Sequence, residues 1–456
     1  VFLVLDEKTG LHNRPFKTTR KIFYNTLKTF KAKLLRHLNF TKPYTTEEFV
    51  ESYVGRKKKN YANAANSLEL KPLTIQDTYI QGFIKDEKTD FTSKPNKCSR
   101  LISPCSARFN LVIGKYLKAL EKPLFSAINS VYQDTTVLKG LNAKDRGEIL
   151  RRKWLKFQRP VAVLLDAARF DQHISRTCKN WEQDIQEART GPGLRRYNKM
   201  RAMTKMFLRT DEGYIKVSMR NGRCSGAMDT ASGNCLTMCA MTWAYMEEIG
   251  ISKYSYANDG DDGVIIVEYS DLELIRSTYF TFFKKLGFKM KWEGDTEIFE
   301  HITFCQCRPV FTGDYWVMQR DPIVVMDKDT MTVKNVRSKK HFDELRNAIG
   351  WSGLAVSGNI PIVNELYKRM ATGKHTKNKP CESGLDYWGV GMEPKFCTPT
   401  DECRISFYRA FAISPETQIT VENEIRTAVW SETNTTPILA RIFTKLNTNI
   451  EYLTQT

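Results

Sequence analysis

With 456 residues, 41% of them hydrophobic and 11% aromatic, the chain can bury a large core across two or three subdomains, which excludes a disordered polypeptide. Seventy Lys and Arg against 51 Asp and Glu leave +19, a surplus that favours a polyanionic partner, either nucleic acid or an acidic membrane face. The eleven cysteines include no C-x-x-C pair, and neither Cys305 with Cys307 nor Cys381, Cys397 and Cys403 near His375 has zinc-knuckle spacing, so reduced buried thiols are expected.

Val1 to Leu5 is too short for a signal peptide and runs into Asp6. The chain opens without a methionine, so we expect a piece of a longer product, whose remainder would hold any membrane anchor. Residues 1–160 are strongly basic, with clusters at Arg56 to Lys59 and at Arg151, Arg152, Lys153, Lys156 and Arg159. Lys85 to Arg100 mixes Lys, Asp, Pro and Ser and reads as an extended basic loop. Val161 to Leu165 is an apolar run that follows Pro160 and ends at Asp166, the pattern of a buried strand. Thr177 to Arg209 is helical in composition and broken at Gly191-Pro192-Gly193. Arg195, Arg196, Lys199, Arg201, Lys205 and Arg209 then follow with no acid among them. Tyr214 to Met219 alternates, and Asn221-Gly222 is a hairpin-turn signal. A long helix is predicted from about Thr230 to Glu248, ending at Gly250. Its apolar stretch, Cys235 to Met246, falls short of the roughly 18 residues that a bilayer span needs. Lys253 to Ala257 and Val264 to Val267 flank Asn258-Asp259-Gly260-Asp261-Asp262-Gly263, which predicts strand, tight acidic turn, strand. Asp271 is placed to cap a helix carrying Leu274, Ile275, Phe282, Phe283 and Leu286, with Gly287 at its end. Beyond about residue 320 the pattern is mostly helical.

The acidic turn carries the chemistry. Adjacent carboxylates at a hairpin tip repel each other, and hard cations with oxygen ligands, Mg2+ or Mn2+, relieve that repulsion. Gly260 permits the tight turn and a close approach by substrate. A solvated acidic turn competes with this reading. A calcium loop of the EF-hand type fails on spacing: counted from Asp259, the sixth position is Val264 and the twelfth Ser270. Asp166 closes its own apolar strand, with Phe170-Asp171 just behind. If that strand pairs with the hairpin, three carboxylates converge, as needed for two divalent ions about 3.5–4 Å apart clamping an in-line phosphoryl displacement. His173 follows the same strand with no second zinc ligand, which makes it a packed or hydrogen-bonded histidine.

Leu165-Asp166-Ala167-Ala168-Arg169-Phe170-Asp171-Gln172-His173 resembles the first palm motif of positive-strand RNA virus RNA-dependent RNA polymerases. Ser225-Gly226-Ala227-Met228-Asp229-Thr230 with Gly233-Asn234 resembles their second, and Asn258 to Asp262 their third, the GDD motif. Order and spacing agree. The resemblance is strongest to the tombusvirus-like group and runs from about Tyr44 to Tyr367. Thr45 to Val50, Phe304-Cys305-Gln306 and Ser352-Gly353-Leu354-Ala355 are also similar to that group.

The resemblance implies an α+β right-hand fold. Fingers and fingertips would be residues 1–160, with a fingers insertion at 177–213. The palm, an antiparallel sheet plus helices, would be 161–176 and 214–310. A mostly helical thumb would be 311–456. It implies RNA-templated RNA synthesis from NTPs with Mg2+ or Mn2+, in which Asp166 and Asp261 are the principal metal ligands and Asp262 supports them. Asp171 and Asn234, helped by Ser225 and Thr230, would read the ribose 2′-hydroxyl, which a carboxylate and an amide can both hydrogen-bond. Lys85, Lys88 and Arg100 would neutralise the triphosphate. The basic clusters would line the template and nucleotide channels. Lys289 or Lys291 would be placed to protonate pyrophosphate, and Phe304-Cys305-Gln306 to grip the nascent strand. Template RNA, nascent RNA, and viral and host replication factors are the implied partners. Membrane-associated complexes in the host cytoplasm are the implied location, reached only through segments absent from this chain. Three positions depart from the family pattern: Asp259 (often Asn), Gly263 (often Cys) and Cys105 (often Arg). Asp259 receives no role. Two other readings stand beside this one: a non-catalytic RNA-binding scaffold, and a reverse transcriptase, against which the turn reads Asp-Gly-Asp-Asp rather than Tyr-x-Asp-Asp.

Overall fold

A computed structural model of the chain describes residues 4–5, 12–13, 15–88, 100–202, 205–210, 213–218, 222–375 and 384–428. At its centre lies an antiparallel four-stranded sheet in the order Met290–Thr296, Pro160–Ala167, Asp262–Glu268, Ser255–Asp259. Both inner strands are near-continuous apolar runs because both faces of the sheet are covered. Side chains alternate between two cores, as strand geometry requires. Val161, Val163, Leu165, Ile265 and Val267 enter one. Ala162, Leu164, Val264 and Ile266 enter the other.

The first core is built on Ala107–Tyr132, Thr230–Glu248 and Leu272–Lys285. Thr230–Glu248 has the predicted bounds and is apolar all round, the mark of a helix enclosed by protein. Leu272–Lys285 forms where expected, preceded by a 3-10 turn, but Asp271 makes no side-chain cap. Its buried stripe is Leu272, Ile275, Tyr279, Phe282 and Phe283, and Leu274 falls outside it, exposed. The second core gathers the hairpin Cys307–Phe311 with Trp316–Arg320 and the helices Ala143–Trp154, Pro322–Asp329, Lys339–Ser357, Val363–Met370, Asp401–Phe411 and Pro415–Thr427. The mostly helical pattern expected beyond about residue 320 is therefore present.

Two local expectations fail. Helix breaks at Gly191 as predicted, giving Arg176–Thr190 and Gly193–Arg201, but Lys205–Thr210 is a strand. It lies parallel to Ile80–Ile84 and antiparallel to Gly213–Ser218, so sheet pairing overrides a helix-favouring composition. The pairing of Lys205–Thr210 with Gly213–Ser218 brings Thr210 opposite Gly213, and no described strand follows Asn221-Gly222 to make a hairpin there. Asn221 lies outside the described residues, and the Gly222 amide donates instead to the Ile174 carbonyl at 2.8 Å.

The arms of the basic loop pair as Ile84 with Leu101, while Lys94 and Lys97 lie outside the described residues. Among the described residues nine cysteines are all free, most of them buried. None of the described helices is long and apolar enough to cross a membrane.

Candidate active site

The predicted pairing of the Asp166 strand with the acidic hairpin is present. Leu165 lies opposite Gly263, Asp259 opposite Asp262, and Lys291 opposite Asp166. The end of the Asp166 strand therefore meets the Gly260–Asp262 turn at the sheet rim. Gly260 has φ +81°, the left-handed region a tight turn needs there.

Asn258, fully buried, locks that turn. Its amide nitrogen donates to the carbonyls of Gly260 (2.9 Å) and Asp262 (3.0 Å) and to the Tyr256 hydroxyl (3.1 Å). Gly263 makes room for the tyrosine, since a β-carbon there would lie 2.6 Å from the Tyr256 hydroxyl. Gly263→Ala is expected to destabilise the fold by about 1–3 kcal/mol through this overpacking. Denaturant unfolding measures it, and parent-like stability would show that the contact yields freely.

The carboxylates repel one another. Burial, then the charges of Asp171 and Asp166, raise the Asp261 carboxyl above its ordinary range. Burial, then Asp261, Asp166 and Asp259, push Asp262 up to about 7. An all-oxygen, anionic donor set of this kind fits a hard divalent ion. Among the described residues, however, no three acidic, His or Cys side chains are already gathered as ion ligands. Lys291 Nζ lies 3.8 Å from Asp166 Oδ2. Lys289 instead uses its backbone, its carbonyl accepting from the Ala168 amide, and its charge bears on His173. The Lys291 side chain is thus the one that faces the carboxylates.

Beside the turn, Asp171 accepts from Ser225 Oγ at 3.0 Å and from Asn234 Nδ2 at 3.1 Å. Asn234 Cβ stands 3.8 Å from where a Gly260 β-carbon would be, so this group abuts the acidic turn. Asn234 Oδ1 is buried without a hydrogen-bond partner among the described residues. Thr230 is used differently: its hydroxyl donates to the Cys224 and Ala227 carbonyls, both at 3.0 Å, and holds the loop in front of its helix.

The other expected residues are dispersed. Lys85 and Arg100 pair with Glu87 (3.8 and 3.3 Å) at a solvent-facing edge rather than with the aspartates. Lys88 Nζ reaches the Lys328 carbonyl. The Cys105 thiol donates weakly to the Thr78 carbonyl, and burial together with Cys224 pushes it up to about 12. His173 packs against Phe288 and Phe16 with Nδ1 3.2 Å from the Arg169 carbonyl, a satisfied core histidine. Phe304 and Cys307 close a two-residue turn through reciprocal backbone bonds, with Cys305 (φ 52°) and Gln306 (φ 61°) both left-handed.

Sequence reasoning missed the buried cations. In the cluster expected to line a channel, only Lys153 is buried; Arg152, Lys156 and Arg159 are exposed, though each lies close to an acid. Lys153, fully buried, sits on Asp134 at 2.5 Å, Lys156 joins it at 2.8 Å, and Arg159 pairs with Glu297 at 2.8 Å. Arg151 lies over the Phe299 and Trp316 rings. Arg223 grips both oxygens of the buried Glu182 at 2.6 Å and donates to the Asp229 carbonyl at 2.8 Å. Arg146 and Lys139 hold Asp259 at 2.6 and 2.7 Å. One signal was available. Glu182 falls on the same helical face as Cys178 and Ile185, where a lone acid demands a cation.

A family model described as viral RNA-dependent RNA polymerase matches residues 1–432. Among curated relatives, the chain is 37% identical over 387 residues to the RNA-directed RNA polymerase of Tobacco necrosis virus (strain A), covering 83% of this chain and 53% of the relative. It is 32% identical over 433 residues to that of Melon necrotic spot virus (93% and 54%) and 33% identical over 429 residues to that of Oat chlorotic stunt virus (88% and 56%). The chain spans about half the length of these relatives. Three ordered motifs and a match across most of the sequence lead to one conclusion: the chain belongs to the viral RNA-dependent RNA polymerase family.

Proposed function

We propose that this chain is the catalytic core of an enzyme that copies an RNA template into RNA from NTPs, in the replication of a viral genome. One observation carries the reading. The register that aligns Leu165 with Gly263 sets Asp166 against the Gly260–Asp262 turn, and Asn234 abuts that same turn.

Asp166, Asp261 and Asp262 would hold Mg2+ or Mn2+, which when bound supplies Lewis acidity toward the attacking 3′-hydroxyl and the triphosphate. Asn258 keeps the turn rigid, so the carboxylates are presented in one geometry. Asp171 orients Ser225 and Asn234, and the buried, unpartnered Asn234 Oδ1 is an acceptor suited to a ribose 2′-hydroxyl. Thr230 supports that group by fixing its loop. Lys291 is the candidate to give a proton to the departing pyrophosphate. Lys85, Lys88 and Arg100 would meet the triphosphate after exchanging their present partners.

The reading carries the right-hand division into fingers, palm and thumb given above. It also carries template and nascent RNA as partners, with further viral and host factors, and action at membrane-associated complexes in the host cytoplasm. The test is template-directed incorporation by purified protein with Mg2+ or Mn2+ and separate NTP and dNTP sets. RNA product from NTPs is expected. Product from dNTPs alone would favour reverse transcription, and RNA binding without product would favour a scaffold. Asp171→Ala and Asn234→Ala are each expected to reduce discrimination against dNTPs by at least about tenfold, because the partner that rewards a 2′-hydroxyl is lost. Unchanged discrimination removes the ribose-reading role.

A further inference from the structure

Asp259 stands one residue before Gly260 and two before Asp261, yet its surroundings differ from theirs. It is 9% exposed and faces two cations: Oδ2 accepts a hydrogen bond from Arg146 Nη2 at 2.6 Å, and Oδ1 lies 2.7 Å from Lys139 Nζ as an ion pair without hydrogen-bond alignment. Arg146 is fully buried and uses every nitrogen. Nε donates to the Leu141 carbonyl at 2.9 Å, Nη1 to Cys305 Sγ at 3.5 Å, and the guanidinium lies 4.5 Å from the Trp388 ring centre. The backbone makes the same junction. The Asn258 amide donates to the Thr136 carbonyl at 2.8 Å, and the Leu138 amide to the Asn258 carbonyl at 2.9 Å. Residues 136–146 therefore run along the edge of the acidic hairpin and clamp it by main chain and by charge.

We infer that Asp259 is a positioning residue and not a metal ligand, the counter-charge of a buried ionic anchor through which Arg146 fixes the acidic turn, the Phe304–Cys307 turn and the Trp388 segment relative to one another. The inference rests on the proposed nucleotidyl transfer at the neighbouring aspartates. Two cations already neutralise this carboxylate and would repel a divalent ion brought against it. A planar guanidinium can serve three partners in fixed directions, which an ammonium cannot. An acid at this position serves the machinery by holding Arg146, whose other contacts lie on the turn expected to grip the nascent strand.

A double-mutant cycle tests this. Asp259→Asn and Arg146→Gln are each expected to lower kcat about a hundredfold by misplacing the turn. KM for NTP and the Mg2+ concentration at half-maximal activity should stay within about twofold of the parent. The double variant should be no worse than the poorer single variant, because neither charge is then left alone. Asp259→Asn that is rescued by raised Mg2+, or single losses that multiply in the double variant, would overturn the inference. The same cycle read by thermal unfolding needs no activity: each single variant should melt lower than the parent, and the double variant should recover part of the loss. Melting shifts that simply add would also overturn it. If the parent itself incorporates no nucleotide, the polymerase reading fails while the melting cycle still decides the anchor. Should Arg146→Gln not fold, Arg146→Lys keeps the charge and loses the fork. Reduced kcat at an unchanged Mg2+ requirement is expected of it, and full parental kcat counts against the anchor.

Discussion

Asp261→Asn is expected to lower template-directed NTP incorporation by about three orders of magnitude while leaving RNA affinity within about threefold of the parent. A metal-held carboxylate contributes several kcal/mol of transition-state charge stabilisation, and each 1.36 kcal/mol is about tenfold in rate. On the proposed reading, RNA affinity would be carried by phosphate contacts to exposed Lys and Arg, which this substitution does not touch. Stability should move the other way. Burial and the charges of Asp171 and Asp166 hold the Asp261 carboxyl up, so removing its charge relieves repulsion in the metal-free protein. The variant should therefore melt at or above the parent temperature without divalent ions. Single-nucleotide extension and thermal unfolding, run side by side, check both halves. Parent-like extension would remove Asp261 from the metal set, and a large drop in melting temperature would attribute lost activity to unfolding.

The parts of this fold that short-range pattern controls were legible. Val161 to Leu165 had to be a buried strand because nothing in it tolerates water, and Thr230–Glu248 had to be a core helix. The acidic hairpin followed from a turn-forming sequence between a Tyr-containing run and the β-branched run Val264 to Val267. Lys205–Thr210 was not legible, because its partner Ile80–Ile84 lies more than a hundred residues away in the chain, and that partner decides strand over helix. Within the site, Asp166, Asp261 and Asp262 could be chosen from spacing. Asp171, Ser225 and Asn234 could be chosen only from the family resemblance; hydrogen bonds join the three side chains. Thr230 and Lys85 could not be resolved from type alone, since a hydroxyl or an ammonium has many possible partners.

The charge surplus favoured a polyanionic partner but could not say which cations face it. Every Lys and Arg counted equally toward a nucleic-acid surface, yet Arg146, Lys153 and Arg223 are interior side chains tied to Asp259, Asp134 and Glu182. The partners lie 19, 41 and 113 residues apart, so composition could not reveal them. On the proposed reading, an RNA-facing surface would be drawn from the remaining exposed cations, such as Arg56 and Lys57.

Arg223→Met is expected to destabilise the protein by about 3–5 kcal/mol, the cost of leaving one member of a buried ion pair alone. That is a large part of the roughly 5–15 kcal/mol that separates folded from unfolded domains. Arg223 is 7% exposed and Glu182 1% exposed, so each charge depends on the other for its neutralisation. A β-carbon at Gly233 would lie 1.8 Å from Arg223 Nη1, so the helix that carries Asn234 is shaped around the guanidinium. Without it, Glu182 keeps the Thr237 hydroxyl and the Cys178 thiol as partners. Burial already raises the Glu182 carboxyl, and Arg223 is the main influence opposing that rise. Removing Arg223 raises it further. A folded-state pKa above the unfolded one contributes stability at low pH and loses it as pH rises. The deficit of Arg223→Met should thus shrink as pH falls from about 8 toward about 5, and Glu182→Gln in the same chain should restore much of the loss at neutral pH. Denaturant unfolding across that range measures both effects. A deficit below about 1 kcal/mol, or one that ignores pH, would mean that the pair relaxes into solvent and does not brace the helix behind Asn234.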